Sequence, residues 1–187
     1  AARRLEERGV PGVLKLAGAE DLPYEDGIFD AVVLSQVLLY VEDVPRALRE
    51  ARRVLRPGGR LVICDTDWDS LVVNTADKAL LGRVRDACCS TFLDAHLPPK
   101  LPGLLAVAGF ALREVRTVPM VAAGTCVEAD KSWLSNWTYK VVPEKGKKCG
   151  LPESDVDAWL QEQRALSRQG AFFACVHRFL FLAENPH

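Results

Sequence analysis

The sequence lacks several features that would assign it to a class of protein directly. It has no basic excess, because 24 Lys and Arg stand against 25 Asp and Glu, for a formal net charge of −1. Domains that hold nucleic acid by electrostatics usually carry such an excess, so no nucleic-acid partner is expected. No run of about 18 apolar residues occurs, so no membrane span is predicted. No secretory signal is visible, and we expect a cytoplasmic protein.

Metal-binding patterns and glycine-rich loops are also absent. The six cysteines and three histidines form no Cys-x-x-Cys pair and no cluster with zinc spacing. An even number of cysteines is compatible with disulfides, but a 187-residue chain that is 49% hydrophobic has enough core to fold with reduced thiols. No Gly-x-Gly-x-Gly occurs. The chain begins with Ala1 in what looks like the end of a helix, so we expect an N-terminal part to be missing.

Residues 17–65 contain the clearest structural pattern that is present. Two apolar runs, Phe29–Ser35 and residues 60–65, are nearly continuous, as in parallel strands buried on both faces. Between them, residues 44–55 repeat apolar side chains three and four positions apart, which predicts an amphipathic helix with Asp43 as its N-cap. Pro-Gly-Gly ends this helix. The pattern predicts a β-α-β unit.

Helices and strands alternate along the rest of the chain. Further strands are predicted at residues 13–16, 111–118 and 171–183, and further helices at 1–8, 75–93, 101–108, 128–142 and 153–168. Residues 67–73 are interpreted as irregular. This order predicts an α/β, Rossmann-like, doubly wound fold whose mostly parallel sheet ends in an antiparallel strand. Residues 1–187 would form a single, partial domain with a helical insertion at 119–170.

Three segments resemble a known family. They are A-E-D-L-P-Y-E-D-G-I-F-D, L-L-Y-V-E-D and A-L-R-E-A-R-R-V-L-R-P-G-G-R-L-V-I, all before about residue 66. They are similar to class I S-adenosylmethionine-dependent methyltransferases, especially the ubiquinone/menaquinone-type C-methyltransferases. The resemblance implies S-adenosylmethionine as cofactor and a small-molecule methyl acceptor. It also implies that the glycine-rich loop, the ribose-binding acid and the first strands would precede residue 1.

The resemblance implies cofactor contacts after two of the predicted strands. Gly18 stands where the family usually has an Asp that accepts from the adenine amino group. Ala19 would donate its backbone N–H to the ring, and Glu20 or a backbone carbonyl would replace the missing acceptor. Ser35 and Gln36 would lie under the methionine and ribose parts. The alternative for this pair is an ordinary polar strand end.

Candidate acceptor-binding residues follow the strands at 29–35 and 60–65. Tyr40 stands where relatives often have His, and would wall the site or hydrogen-bond a substrate, with simple packing as the alternative. Asp65 and Trp68 lie where acceptors of the family often bind. The catalytic residue is unknown from the sequence, with Asp67 as a candidate general base and Tyr40 as a second candidate. Methyl transfer from a sulfonium needs mainly proximity and orientation, so a fixed catalytic residue is not required.

Aromatic residues and histidines outside these segments allow two interpretations each. Trp133, Trp137 and Tyr139 would form an aromatic face on the insertion that binds a planar acceptor, or would pack the insertion onto the core. His96 is predicted to be a loop residue, and His177 a structural residue inside the last strand.

Three functions stay open at this point. The first is a small-molecule methyltransferase, and the second is a truncated or degenerate methyltransferase-fold module for binding or dimerisation without catalysis. An NAD-dependent Rossmann enzyme is the third, but it needs a parallel sixth strand where an antiparallel pair is predicted. A chain without its central strand would expose an apolar sheet edge at residues 13–16 or Phe29–Ser35, so self-association is expected.

Overall fold

A computed structural model describes residues 2–9, 11–125 and 132–186 of the chain. Its elements, in chain order, are α1 (Ala2–Glu7), β1 (Phe29–Ser35), a 3-10 turn (Leu38–Tyr40), α2 (Val44–Val54), β2 (Leu55–Val73), α3 (Lys78–Cys89), a 3-10 turn (Pro98–Lys100), α4 (Leu101–Val107), β3 (Ala111–Gly124), α5 (Trp133–Asn136), a π-helix (Trp137–Gly146), α6 (Glu153–Arg168) and β4 (Phe172–Glu184). The predicted helix at 128–142 begins outside the described residues. Cys126 also lies outside them. The five described cysteines are free thiols.

The four strands form one sheet in the order β1-β2-β4-β3. β1 and β2 run parallel, and the last residue of β1, Ser35, lies opposite Cys64 of β2, which continues beyond it. β4 is antiparallel to both of its neighbours, which confirms the antiparallel pairing predicted for the last two strands. The described sheet is therefore mixed, with one parallel and two antiparallel pairs, and not mostly parallel as the alternation of elements predicted.

Residues 13–16 differ from the prediction and are not a strand. They lie in irregular chain, with Val13, Leu14 and Leu16 exposed by 81%, 53% and 104%. A short apolar run becomes a strand only where a neighbouring strand offers hydrogen bonds. Among the described residues no strand pairs with residues 13–16, and this segment does not occupy the outer edge of β1, which is open.

Residues 67–73 differ in part, because they belong to β2, although an irregularity leaves residues 68–71 without a partner in β4. After a shift in register that begins at Asp67, Val72 and Val73 pair with Cys175 and Ala174 of β4. β3 likewise continues to Gly124, into the segment predicted as the helical insertion. The cause is the length of β4, whose 13 residues offer hydrogen bonds to both neighbours beyond their predicted ends.

Helix α2 forms as its apolar spacing predicts. The Oδ1 atom of Asp43 accepts a hydrogen bond from the backbone N–H of Arg46 at 2.9 Å, which confirms the predicted N-cap. Its apolar stripe is buried: Val44, Ala47, Leu48, Ala51 and Val54. Burying one such leucine contributes roughly 2 kcal/mol. The helix thus holds the crossover between β1 and β2 against the sheet.

Two apolar cores fix the helices to the sheet. The first core joins α2 and α4 to β2 and β4, and includes Leu48, Leu61, Ile63, Leu101, Leu105 and Phe181. The second core joins α3, α6 and the π-helix to the far halves of β2 and β4, and includes Trp68, Val84, Trp137, Val156, Trp159 and Phe172. None of the described helices is long and apolar enough to cross a membrane. The two cores leave the carboxyl ends of β1 and β2 between them.

Candidate functional site

The carboxyl ends of β1 and β2 place the predicted site residues at one edge of the sheet. Parallel strands end at the same edge, and in open α/β sheets ligands bind beyond the carboxyl ends of the strands. Ser35 ends β1, and Gln36 follows it directly. Asp65, Asp67 and Trp68 lie in the part of β2 that extends past the end of β1.

Gln36 occupies an unusual backbone conformation at this edge. Its φ of 55° lies in the left-handed region of backbone conformation that residues other than glycine seldom adopt. Hydrogen bonds to β2 hold it there: its backbone N–H and its Nε2 both donate to the carbonyl oxygen of Cys64, at 2.9 and 3.1 Å. Its Oε1 accepts from the Thr66 hydroxyl at 2.9 Å. Backbone strain that is held in place this way occurs preferentially at functional sites.

Asp65 lies directly under the turn that follows Gln36. Its side chain is fully buried, and neither carboxylate oxygen meets hydrogen-bond geometry with a described residue. Burial raises the pKa of Asp65 to about 7, although the nearby amides of Leu38 and Val37 and the charge of Arg178 act in the opposite direction. No surface of Asp65 is open to a ligand, so the substrate contact predicted for it would require this turn to move.

Asp67 forms a pair with His96 that the sequence did not predict. The Nδ1 atom of His96 lies 2.7 Å from Oδ1 of Asp67 and 3.3 Å from Oδ2 of Asp69. The hydrogen bond to Asp67 raises the pKa of His96. His96 is a loop residue, as expected, and its backbone N–H donates to Asp94 at 3.0 Å. A contact between residues 29 positions apart leaves no local pattern, so the sequence carried no signal for this pair.

An aromatic pocket joins the two other acceptor candidates, Tyr40 and Trp68. Both rings contact Phe92, with centroid distances of 5.2 and 5.6 Å. Trp68 also contacts Trp133 and Trp137 at 5.6 and 5.7 Å. These rings enclose a cavity of about 170 Å³, and its lining is Tyr40, Trp68, Cys88, Phe92, Trp133, Asn136, Trp137, Val141 and Lys145. The structure thus brings the predicted Tyr40 and Trp68 into one cavity.

Tyr139 does not share the aromatic face predicted for it. Its hydroxyl donates to the carbonyl oxygen of Gln163 at 3.2 Å, and its ring stacks on Phe172 at 6.2 Å. The reason is the helix geometry, because Tyr139 lies only two positions after Trp137 and therefore faces away from it. Its role is packing of the second core.

The segment predicted to contact adenine lies beside the start of α2. The Oε1 atom of Glu20 accepts from the backbone N–H of Asp43 at 3.3 Å, and the carbonyl of Gly18 accepts from Asp21 at 3.3 Å. Ala19 packs against the first core. Among the described residues, no hydrogen bond joins this segment to Gln36, so the two groups of predicted cofactor contacts are positioned independently.

Acidic side chains dominate the charge at this edge of the sheet. Within the part of the chain that the structure describes, Asp67 and Asp69 meet only His96 and Arg85 as cationic partners. Arg178 approaches from the other face, where its guanidinium lies 5.3 Å from the Trp133 ring centroid. Among the residues that the structure describes, no cluster of three or more His, Cys, Asp or Glu could hold a metal ion.

Comparison with known proteins gives matches over parts of the chain and over all of it. Residues 1–63 match the family model described as a methyltransferase domain. Over 186 residues the chain is 34% identical to an uncharacterized 37.1 kDa protein of transposon TN4556 from Streptomyces fradiae, with 98% of this chain and 51% of that protein covered. Over 54 residues it is 56% identical to demethylmenaquinone methyltransferase of Mycolicibacterium gilvum, which covers 28% of this chain and 24% of that enzyme.

A solved structure shares the fold over the whole chain. It is a Bacillus halodurans protein described as a methyltransferase, with a TM-score of 0.63 and 17% identity, covering 100% of this chain and 78% of that one. The chain therefore has the fold of the class I S-adenosylmethionine-dependent methyltransferases. The chain spans about half, or less, of the length of the two curated relatives named above.

Proposed function

We propose that this chain carries out S-adenosylmethionine-dependent methyl transfer to a small molecule. The observation that supports it most is the placement of the strained Gln36, the Asp67–His96 pair and the pocket residue Trp68 on or beside the segments that follow Ser35 and Cys64. A fold alone fixes no activity. The family resemblance of residues 18–40 also predicts that the cofactor binds at this edge of the sheet.

The charge at this edge suits the proposed cofactor. S-adenosylmethionine supplies an activated methyl group on a cationic sulfonium and also carries an ammonium group. We propose that Gly18, Ala19 and Glu20 contact its adenine side, and that Ser35 and Gln36 contact its methionine side. The carboxylates of Asp67 and Asp69 favour a cation nearby, since opposite charges attract more strongly where water is partly excluded.

His96 is the general base that the geometry favours, and Asp67 is the residue that positions it. The imidazole is 46% exposed and can reach a ligand, whereas the Asp67 side chain is 10% exposed. Asp67 holds Nδ1, which leaves Nε2 of the neutral ring free to accept a proton from the attacking group of the acceptor. Tyr40, which is 53% exposed, would wall the acceptor site.

A second candidate function is supported by the open edge of β1. Val33 of this strand is 65% exposed. An unpaired strand edge with exposed apolar side chains is a template for pairing with another chain. A dimerisation or binding module without catalysis would use this edge and would not need the pocket or the Asp67–His96 pair.

Hydrogen exchange in the presence of S-adenosylhomocysteine separates these functions. Methyl transfer predicts slower exchange in residues 18–20 and 35–40 and unchanged exchange in β3. A module that only dimerises predicts that the nucleoside changes nothing, whereas raising the protein concentration slows exchange in Phe29–Ser35. Unchanged exchange in residues 18–20 and 35–40 at saturating nucleoside would reject the methyltransferase proposal.

A further inference from the structure

We propose that the aromatic pocket binds a single planar aromatic ring carrying an anionic oxygen, as in an aromatic carboxylate or a phenolate. That this ring is the methyl acceptor rests on the proposed function, whereas its binding does not. The claim is drawn from the lining residues of the pocket, most of which follow residue 63 and so lie outside the segment matched by the family model.

One wall of the pocket is a stripe with a spacing of four residues. Trp133, Trp137, Val141 and Lys145 all line the cavity, along α5 and the π-helix that continues it. In an α-helix each step of four positions drifts by about 40° around the axis. Hydrogen bonds between positions five apart widen the turn to more than four residues, so a step of four in the π-helix drifts in the opposite direction and offsets the drift of the α-helical step. The π-helix therefore keeps Lys145 on the same face as the tryptophans.

The opposite wall consists of rings that are held by their neighbours. Phe92 lies between Tyr40 and Trp68, at centroid distances of 5.2 and 5.6 Å. On the first wall, Trp133 is held in the same way, between Trp68 and the guanidinium of Arg178, which lies 5.3 Å from its ring centroid. Aromatic walls of this kind favour a flat ligand, because stacked and edge-to-face contacts need a ring of matching shape.

The size of the cavity limits the ligand to one ring. Its volume is about 170 Å³. An apolar cavity of about 150 Å³ is large enough to bind benzene. A single ring with a small substituent therefore fills the pocket, and a fused ring system would have to extend out of its mouth.

Lys145 determines the charge that the ligand should carry. It is the only charged residue in the lining, and no carboxylate pairs with it in the part of the chain that the structure describes. Its Nζ lies 5.8 Å from the Phe92 centroid and 3.5 Å from the Thr91 hydroxyl. Asn136 adds an amide at the same cavity. An ammonium group beside an apolar, half-enclosed space favours an anion.

Packing of α5 and the π-helix onto the core explains the position of the pocket tryptophans only in part. The indole N–H groups of Trp68 and Trp137 are buried, and neither has a hydrogen-bond partner among the described residues. Buried donors are normally paired. Both indoles line the cavity, and packing against apolar side chains provides no acceptor for these donors, whereas an oxygen atom on a bound ring is an acceptor.

Calorimetric titration with benzoate tests the proposal, and two analogues separate its parts. Benzamide keeps the ring and removes the charge, and cyclohexanecarboxylate keeps the charge and removes the planar ring. We expect benzoate to bind at least tenfold more tightly than either analogue. Equal affinity for benzoate and cyclohexanecarboxylate would overturn the inferred preference for a planar ring. Equal affinity for benzoate and benzamide would overturn the inferred preference for an anion. No binding of benzoate at millimolar concentration would overturn the site itself.

Two lysine variants form a matched pair for the same titration. Lys145→Met removes the pocket cation, and Lys147→Met removes a neighbouring lysine whose partner is Glu153, outside the pocket. We expect at least a tenfold loss of benzoate affinity in K145M, less than a twofold change in K147M, and recovery in Lys145→Arg. Equal losses in K145M and K147M would reject the assignment.

The outcome for the pocket can be separated from that for the proposed function. The benzoate titration uses the chain without S-adenosylmethionine, and a separate titration measures the cofactor. Cofactor binding without benzoate binding rejects the acceptor class and leaves methyl transfer standing. Benzoate binding without cofactor binding supports the pocket and rejects the methyltransferase proposal.

Discussion

Asp65 is the residue whose environment departs most from that of an ordinary carboxylic acid. It is fully buried beneath the turn that contains Val37 and Leu38, and both of its oxygens lack a hydrogen-bond partner among the described residues. Its pKa of about 7 means that the side chain carries its proton through much of the range below neutral pH. A neutral acid at this position supports the strained backbone of Gln36 without placing an uncompensated charge in the core.

Asp65→Asn should remove a pH dependence of stability. Since the pKa of Asp65 is higher in the folded chain than in the unfolded chain, wild-type stability falls as pH rises from about 4 to about 7. The isosteric amide cannot ionise, so we expect D65N to be more stable than wild type at pH 8, by at most about 4 kcal/mol. At pH 4.5 the two should be nearly equal. Urea unfolding at both pH values measures this.

The exposed Glu42 provides the control for this experiment. Glu42→Gln removes one carboxylate near the same turn without touching the buried site. It should leave the difference between pH 4.5 and pH 8 as it is in wild type. If the free energy of unfolding of D65N changes with pH in parallel with that of wild type, Asp65 ionises normally in the folded chain.

The Asp67–His96 pair predicts that replacing each of two neighbouring aspartates changes the pKa of His96 to a different extent. Asp67 holds Nδ1 at 2.7 Å and Asp69 is 3.3 Å away, so Asp67→Asn should lower the pKa of His96 more than Asp69→Asn does. NMR titration of the ring protons measures both values. The raised pKa stabilises the fold below about pH 6.5, and this contribution is lost as pH rises through the folded-state value. Equal effects of D67N and D69N would contradict the pair.

At the scale of elements, the sequence specified best what is decided within a few residues. The apolar spacing and the Asp43 cap are local, and α2 begins and ends within one residue of its prediction. The prediction of a strand at residues 13–16 was wrong, and that of irregular chain at residues 67–73 was wrong where Val72 and Val73 pair with β4, because a strand exists only together with its partner. β4 supplied a partner to the second segment and nothing supplied one to the first. Local pattern cannot contain that information.

The uncovered strand β1 predicts that the chain self-associates. Val33 is 65% exposed beside an edge that no described strand covers. Val33→Lys should shift the chain toward monomer, because a charge on an edge strand opposes pairing with a second chain. Val107→Lys, at a position 83% exposed in α4, should leave association unchanged. Sedimentation velocity over a range of concentrations measures both variants. A wild-type chain that is monomeric throughout would contradict this prediction.

At the scale of the whole molecule, the site is assembled from segments that are far apart in sequence. Tyr40 and Trp68 were predicted because each follows a strand, and parallel strands end together. Phe92, His96 and Lys145 were not predicted, since the turn after α3, a loop and the π-helix bring them there from positions 50 or more after Tyr40. The cofactor assignment at Gly18, Ala19, Glu20, Ser35 and Gln36 stays a prediction that follows from the family resemblance.

The central claim is that the carboxyl end of the β1-β2 pair holds S-adenosylmethionine. Isothermal titration of this chain with S-adenosylmethionine tests it most directly, with circular dichroism on the same sample to verify folding. We expect saturable binding of one cofactor per chain with a dissociation constant in the micromolar range, corresponding to about −8 kcal/mol. A folded sample that gives no binding heat with millimolar S-adenosylmethionine would contradict the claim and favour a module without catalysis.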